Sequence, residues 1–127
     1  MSHGPPELYL GMTSRGSDAG CRNLLRAIRR SKPRLHCFGH IHEAWGAEIL
    51  EWQDDAQTTE KTIWSRTRSA AKEGAKLDAE HIDIRPDSDT PVEHGKKTLL
   101  VNAAILDVKY KPVNSPWIVD MGLPKSS

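Results

Sequence analysis

Three observations predict an α/β protein. An amphipathic stretch at 18–31 leads through Pro33 into a short apolar run, Leu35–Phe38. Two more strand-like runs follow at 47–52 and 97–102. Between the first and second runs lies Gly39-His40-Ile41-His42, where side chains beyond a strand's carboxyl end commonly meet ligands. The chain has 127 residues, 37% hydrophobic and 28% charged, enough for about one domain around one core.

The elements follow in order. Residues 1–16 are irregular, with Pro5 and Pro6 fixing the backbone next to His3 and Gly4. Residues 18–31 form a helix, because Cys21, Leu24, Leu25 and Ile28 recur at one-face spacing. Ser17 or Asp18 would cap its start, and Arg26, Arg29 and Arg30 suit its negative end. Pro33 ends it. Residues 34–38 are a buried strand and 47–52 the next one. Residues 97–102 read as a strand from their apolar and β-branched content, and 117–121 as the last. The pattern places a helix on one face of a sheet.

Residues 53–97 differ. Ten acidic and eight basic residues crowd this stretch, with few large apolar ones. It reads as a charged, flexible insertion, with a solvated helix around 68–80.

Charge and hydropathy exclude several classes. A net charge of +1 gives no basic excess for nucleic acid. No apolar run has the length of a bilayer span, and residues 1–15 lack the pattern of a signal peptide. Cys21 and Cys37 are too few for a disulfide framework and fit reduced thiols in an intracellular, cytoplasmic protein.

The histidines carry the chemistry. Imidazole suits zinc, iron and manganese. On extended backbone His40 and His42 would point to one side, about 6–7 Å apart. That spacing suits two ions about 3.5–4 Å apart, one histidine for each. Gly39 would let the strand turn sharply, and the Gly-Pro-Pro loop would fix His3 as a third ligand. A structural or solvent-facing role for the same trio stays open. A zinc site from Cys37, His40 and His42 is weaker, since Cys37 should face the core. His36 alternates with Phe38 and reads as a hydrogen-bonded core residue; His81 and His94 read as surface residues.

Longer motifs give these histidines a family setting. His3-Gly4-Pro5-Pro6, Gly20-Cys21, and the run from Lys32 through Gly39-His40-Ile41-His42-Glu43 to Gly46 resemble the calcineurin-like metallophosphoesterases. Val101-Asn102-Ala103-Ala104 and the run from Tyr110 to Asp120 are similar to the closing strand, proline loop and final strand of the metallophosphoesterase-domain subfamily. The likeness covers about 1–52 and 97–122. It implies a mixed sheet within a four-layer α/β/β/α sandwich and a binuclear hydrolase of phosphate mono- or diesters, with two divalent ions (manganese, iron or zinc). By motif, His3 and His40 would bind one ion and His42 the other; Gly39 would shape the loop. Glu43 and Asn102 would stand behind the ligands or on the pocket wall, though Asn102 also suits a plain strand-end hydrogen bond.

The family's other ligands come from an Asp-x-His pair, a Gly-Asp-x-x-Asp segment and a Gly-Asn-His segment holding the catalytic histidine. None occurs in this sequence, so no catalytic residue is assigned. Where the subfamily tends to place an aspartate after the Gly-Pro-Pro loop, this chain has Leu10-Gly11. The expectation is a partial phosphoesterase domain over 1–127, its C-terminal portion, inactive alone. The alternative is a non-catalytic remnant binding one metal ion or a protein. An exposed sheet edge would favour self-association or a partner.

Overall fold

The computed structural model describes residues 1–54, 59–67 and 78–126. Helix α1 spans Arg22–Ser31. The strands are β1 (Leu35–Phe38), β2 (Gly46–Trp52), β3 (Glu60–Thr67), β4 (Glu80–Asp83), β5 (Lys97–Asn102) and β6 (Trp117–Asp120). The helix expected around 68–80 lies mostly outside the described residues, and Glu80 opens a strand.

Four strands form one sheet in the order β1-β5-β2-β3. β1 runs parallel to β5, with Leu35 opposite Leu99 and Phe38 opposite Asn102. β2 is antiparallel to both β5 and β3. β4 and β6 pair in parallel as a second, two-stranded sheet. The α/β expectation with a mixed sheet therefore holds.

Strand alternation builds two cores. Ala47, Ile49, Leu99 and Val101 face one side, where they meet Ile82, Ile84 and Val92, with Trp117 and Val119 beside them. This packs the two-stranded sheet against the four-stranded one. Leu50, Trp52, Leu100 and Phe38 face the other side, against Ile28 and Leu24 of α1. Helix, sheet and sheet thus stack as three layers among the described residues. β5 is apolar on both sides because both are covered, so it reads as a continuous hydrophobic run.

Two strands lie inside the charged stretch. β3 has only Ile63 and Trp64 as large apolar residues, and its pairing with β2 carries the strand. β4 inserts Ile82 into the core.

Helix α1 starts later than its stripe suggests. Cys21 is its N-cap, without a side-chain hydrogen bond, and is exposed. Neither Ser17 nor Asp18 caps it. Asp18 instead accepts the N–H of Leu8 at 2.6 Å and of Gly20 at 2.8 Å. Its carboxylate serves the loop rather than the helix. The end is conventional: Lys32 adopts a left-handed conformation and its N–H reaches the Ile28 carbonyl.

Polar groups also join the layers. Arg29 of α1 grips Glu60 of β3 through two hydrogen bonds, at 2.7 and 3.0 Å. The Tyr9 hydroxyl donates to the same carboxylate at 2.7 Å. Glu48 of β2 is less fortunate. Its Oε2 is buried without a hydrogen-bond partner among the described residues, and burial raises its pKa. A raised carboxyl pKa means that ionisation opposes folding as pH climbs above the unfolded value. Glu48→Gln is therefore expected to stabilise the protein by about 0.5–1 kcal/mol at pH 7. The gain should fade as pH falls below about 4.5, where both states of the native carboxyl are neutral. Chemical melts at pH 7 and pH 4 would show it; an equal gain at both would mean that ionisation is not the cause.

Candidate functional site

The site begins with the N-terminal arm. Ser2 N–H donates to the Cys37 carbonyl at 3.1 Å, and Gly39 N–H donates to the His3 carbonyl at 2.9 Å. Residues 2 and 3 thus lie along the end of β1. Further on, Cys21 N–H binds the Pro5 carbonyl and Glu7 N–H binds the Cys21 carbonyl. Pro5 and Pro6 are both buried beneath this contact. Gly20 permits it, because a Cβ there would clash with the Pro6 carbonyl oxygen. The arm is pinned on both sides of His3.

The histidine run is not an extended strand. His40 has φ 68°, in the left-handed region, and His42 opens a short 3-10 turn ending at Ala44. The expected projection of His40 and His42 from extended backbone is therefore corrected. Gly39 is corrected too. A Cβ there would meet Ala104 at 3.9–4.0 Å, an ordinary contact, so the turn itself does not require glycine for lack of space. The sharp turn is made by His40 itself. A non-glycine residue held at positive φ costs about 1 kcal/mol or more and signals a backbone fixed from outside.

That fixing is visible. Asn102, fully buried at the end of β5, donates to the Ile41 carbonyl at 2.9 Å and to the Leu10 carbonyl at 3.1 Å. Its Oδ1 accepts the Ala104 N–H. Asn102 is the strand-end hydrogen-bonding residue of the plainer reading, and it joins the 8–12 loop to the histidine loop. Buried Ile41 anchors the run between the two histidines. Leu8 and Leu10 also have positive φ, at 74° and 51°.

The structure brings His3 and His40 together. His3 Nε2 lies 3.0 Å from His40 Nδ1, with ring centroids 4.5 Å apart, and both residues are exposed. His42 turns elsewhere: its Nδ1 is 2.9 Å from the Asp107 carbonyl oxygen, and the Tyr110 ring meets it edge-on at 5.5 Å. Donation from Nδ1 to the carbonyl leaves His42 Nε2 as the bare nitrogen. Asn114 donates to the Ala104 carbonyl at 2.8 Å and ties down the same loop. Asp107, Tyr110 and Asn114 have no spacing signal marking them as partners of His42, because the contacts cross from one loop to another.

The other candidates have quieter roles. Glu43 is exposed and accepts the Ser14 N–H at 2.8 Å; that hydrogen bond holds its carboxyl below the ordinary range. Glu43, Trp45, Met12 and Leu10 border a cleft of about 560 Å³. Cys37 packs toward the core of the two sheets, and burial pushes its thiol pKa up. A neutral core thiol is a poor metal ligand, which disfavours the zinc reading. His36 is buried and meets the Ser2 hydroxyl at 2.9 Å, as a core histidine should. His81 is exposed and paired with Asp120 at 2.6 Å.

The donor set can be weighed against a divalent ion. Two imidazole nitrogens on one ion, each at about 2.1 Å, lie roughly 3.0–3.4 Å apart. His3 Nε2 and His40 Nδ1 are 3.0 Å apart in a hydrogen bond, so one of the two nitrogens carries the shared proton and an ion held by both would have to displace it. A histidine whose other nitrogen is held by a carbonyl, like His42, fits a ligand. The pair does not complete a centre. Among the described residues no group of three or more His, Cys, Asp or Glu side chains converges as a metal site. Neutral imidazoles alone also leave the repulsion between two divalent ions uncompensated.

Known proteins supply the wider setting. Over 129 aligned residues the chain is 29% identical to metallophosphoesterase domain-containing protein 1 of Homo sapiens, across 100% of this chain and 26% of that protein. A UPF0046 protein of Caenorhabditis elegans is 40% identical over 47 residues, 36% of this chain and 12% of that relative. A probable rhamnogalacturonate lyase C of Emericella nidulans is 41% identical over 54 residues, 41% of this chain and 5% of that protein. The chain spans about a quarter of the length of the human relative. No family model matches the chain, and no solved structure matches it. The whole-chain likeness suggests the metallophosphoesterase superfamily. No helix among the described residues is long and apolar enough to cross a membrane.

Proposed function

We propose that the chain supplies the histidine side of a two-metal phosphoesterase centre, as the C-terminal portion of a metallophosphoesterase domain. The carrying observation is the 3.0 Å approach of His3 Nε2 to His40 Nδ1, with His42 oriented separately by Asp107. His3 and His40 would hold one divalent ion between them, and the bare Nε2 of His42 would face the other. Bound divalent ions supply charge to polarise a phosphoryl oxygen and to acidify a water. The residues of this chain bind and orient: Asn102 sets the histidine loop, and Asp107 fixes the tautomer of His42.

A second reading is supported by the lack, among the described residues, of any group of three or more His, Cys, Asp or Glu side chains that could hold an ion. The chain then acts as a non-catalytic module that holds one ion or a protein partner. Metal titration tests the histidine assignment that both readings share. The purified 127-residue chain is expected to bind at most one Mn²⁺ or Zn²⁺ and to show no measurable turnover of bis(p-nitrophenyl) phosphate. His40→Ala should weaken ion binding at least about tenfold, in line with loss of one ligand. Unchanged binding in both His3→Ala and His40→Ala would overturn the histidine assignment. Two ions per chain with turnover would overturn the partial-centre reading.

A further inference from the structure

The end of the sheet opposite the histidine loop holds a second hollow. β1 and β5 run parallel, so Arg34 and His94, which precede them, lie at the far end from His40 and Asn102. There the loop after β4 and the segment after β6 border a cleft of about 950 Å³. Both walls are fixed. Val92 is buried, and its N–H donates to the Ile84 carbonyl at 3.2 Å. Lys96 and Lys97 N–H groups both reach the Glu93 carbonyl, and Gly95 N–H reaches the Lys32 carbonyl at the end of α1. On the other side Arg34 Nη2 donates to the Gly122 carbonyl and holds the segment after β6 in place.

The lining is aliphatic, with one cation. Pro86, Pro91, Val92, Leu123 and Pro124 supply the apolar surface, and no Phe, Tyr or Trp borders the cleft among the described residues. Leu123 is 71% exposed, so its side chain is open to further cover. Arg34 is half-buried and spends only one of its five N–H donors among the described residues, on Gly122. Glu93, the one carboxylate on the lining, is paired with Lys96 at 3.2 Å. The charge left unmatched in the cleft is therefore positive. A guanidinium with spare donors in a planar fork matches a carboxylate. Saturated walls without a ring to stack on match an aliphatic chain.

We propose that this cleft is a second binding site, for an aliphatic monocarboxylate: Arg34 holds the carboxylate, and the proline and leucine walls cover the chain. The site lies apart from the histidine loop and does not depend on the phosphoester reading. Arg34 sets the preference for an acid, and Leu123 adds apolar cover from the segment after β6.

Calorimetry on the full chain with butanoate, hexanoate, octanoate and octanol tests this. Affinity is expected to rise about threefold for each methylene from butanoate to octanoate, the return on burying one CH₂ group. Octanoate should bind about tenfold tighter than octanol, the worth of one charge-assisted pair. Arg34→Gln should erase that preference. Leu123→Ser changes an exposed position and spares the core. It should weaken octanoate about threefold while keeping the preference over octanol. Both comparisons on the native chain stand even where Arg34→Gln fails to fold. Equal affinities for octanoate and octanol, no gain with chain length, or a preference that survives in Arg34→Gln would overturn the proposal. So would a short peptide ending in leucine that binds tighter than octanoate, since the cleft would then belong to a peptide C-terminus.

Discussion

Asn102→Ala is expected to lower stability by about 1–3 kcal/mol, since removal of a buried donor strands a carbonyl it served at about that cost. The Leu10 carbonyl depends on Asn102 Nδ2, whereas the Ile41 carbonyl also accepts the Ala44 N–H at 3.2 Å. The loss should reach beyond stability. Ile41 sits between the two histidines, so the left-handed backbone at His40 loses its restraint and should relax. Asn102→Asp provides the control. Aspartate can still accept the Ala104 N–H, but when ionised it cannot donate to either carbonyl. At pH 7 it should be at least as damaging as alanine, with partial recovery in acid where the carboxyl regains a proton. Urea melts at two pH values give both quantities. A cost below about 1 kcal/mol for alanine would place Asn102 outside the forces that set the site.

The second large effect concerns Glu60. Its side chain is 3% exposed and lies between Arg29 and the Tyr9 hydroxyl. Burial alone would raise its pKa, but the hydrogen bonds from Arg29, Thr59 and Tyr9 outweigh burial and hold it below the usual value. Tyr9 moves the opposite way: burial first, then its hydrogen bond to Glu60, raise the phenol. Glu60→Ala should cost about 2–3 kcal/mol at pH 7, less than a fully buried pair because a third of Arg29 remains in water. A carboxyl with a depressed folded pKa contributes stability above its unfolded value, near 4.5, and loses it as pH falls through the folded value. The difference between native protein and Glu60→Ala should therefore shrink in acid. A difference that stays constant from pH 7 to pH 3 would assign the loss to packing.

The two acids on this side of the sheet thus have opposite signs. Glu60 gained partners from a helix and a loop; Glu48, on the neighbouring strand, has an orphaned oxygen. Nothing in the local sequence separates them. Each is a glutamate within a strand, and the packing of Arg29 and Tyr9 decides which one is satisfied.

The same division governs what could be read in advance. β5 and β2 were legible because their apolar content is local and continuous. The start of α1 was not: Asp18 has the right type and place for a cap, but the close approach of Pro6 to Gly20 diverts it. β3 and β4 were hidden by charge, since their strand character comes from distant partners. At the site, the identities of His3, His40 and His42 were visible as motifs. Their geometry was not, because the turn at His40 rests on the bond from Asn102 to Ile41, 61 residues apart in the chain. Asp107, Tyr110 and Asn114 complete the surroundings of His42 from a loop that carries no periodic signal.

The parallel pairing of β1 with β5 bears on how the protein folds. β1 ends at the histidine loop, yet its partner strand is made only after β2, β3 and β4 have passed in the chain. Such pairing closes a long loop before it returns any contact energy, and it ranks among the slow steps of folding. Helix α1, being local, can form early. The meeting of His3 with His40 depends on a settled β1, so the histidine pair takes shape late, after the hairpin of β2 and β3 has had every chance to form.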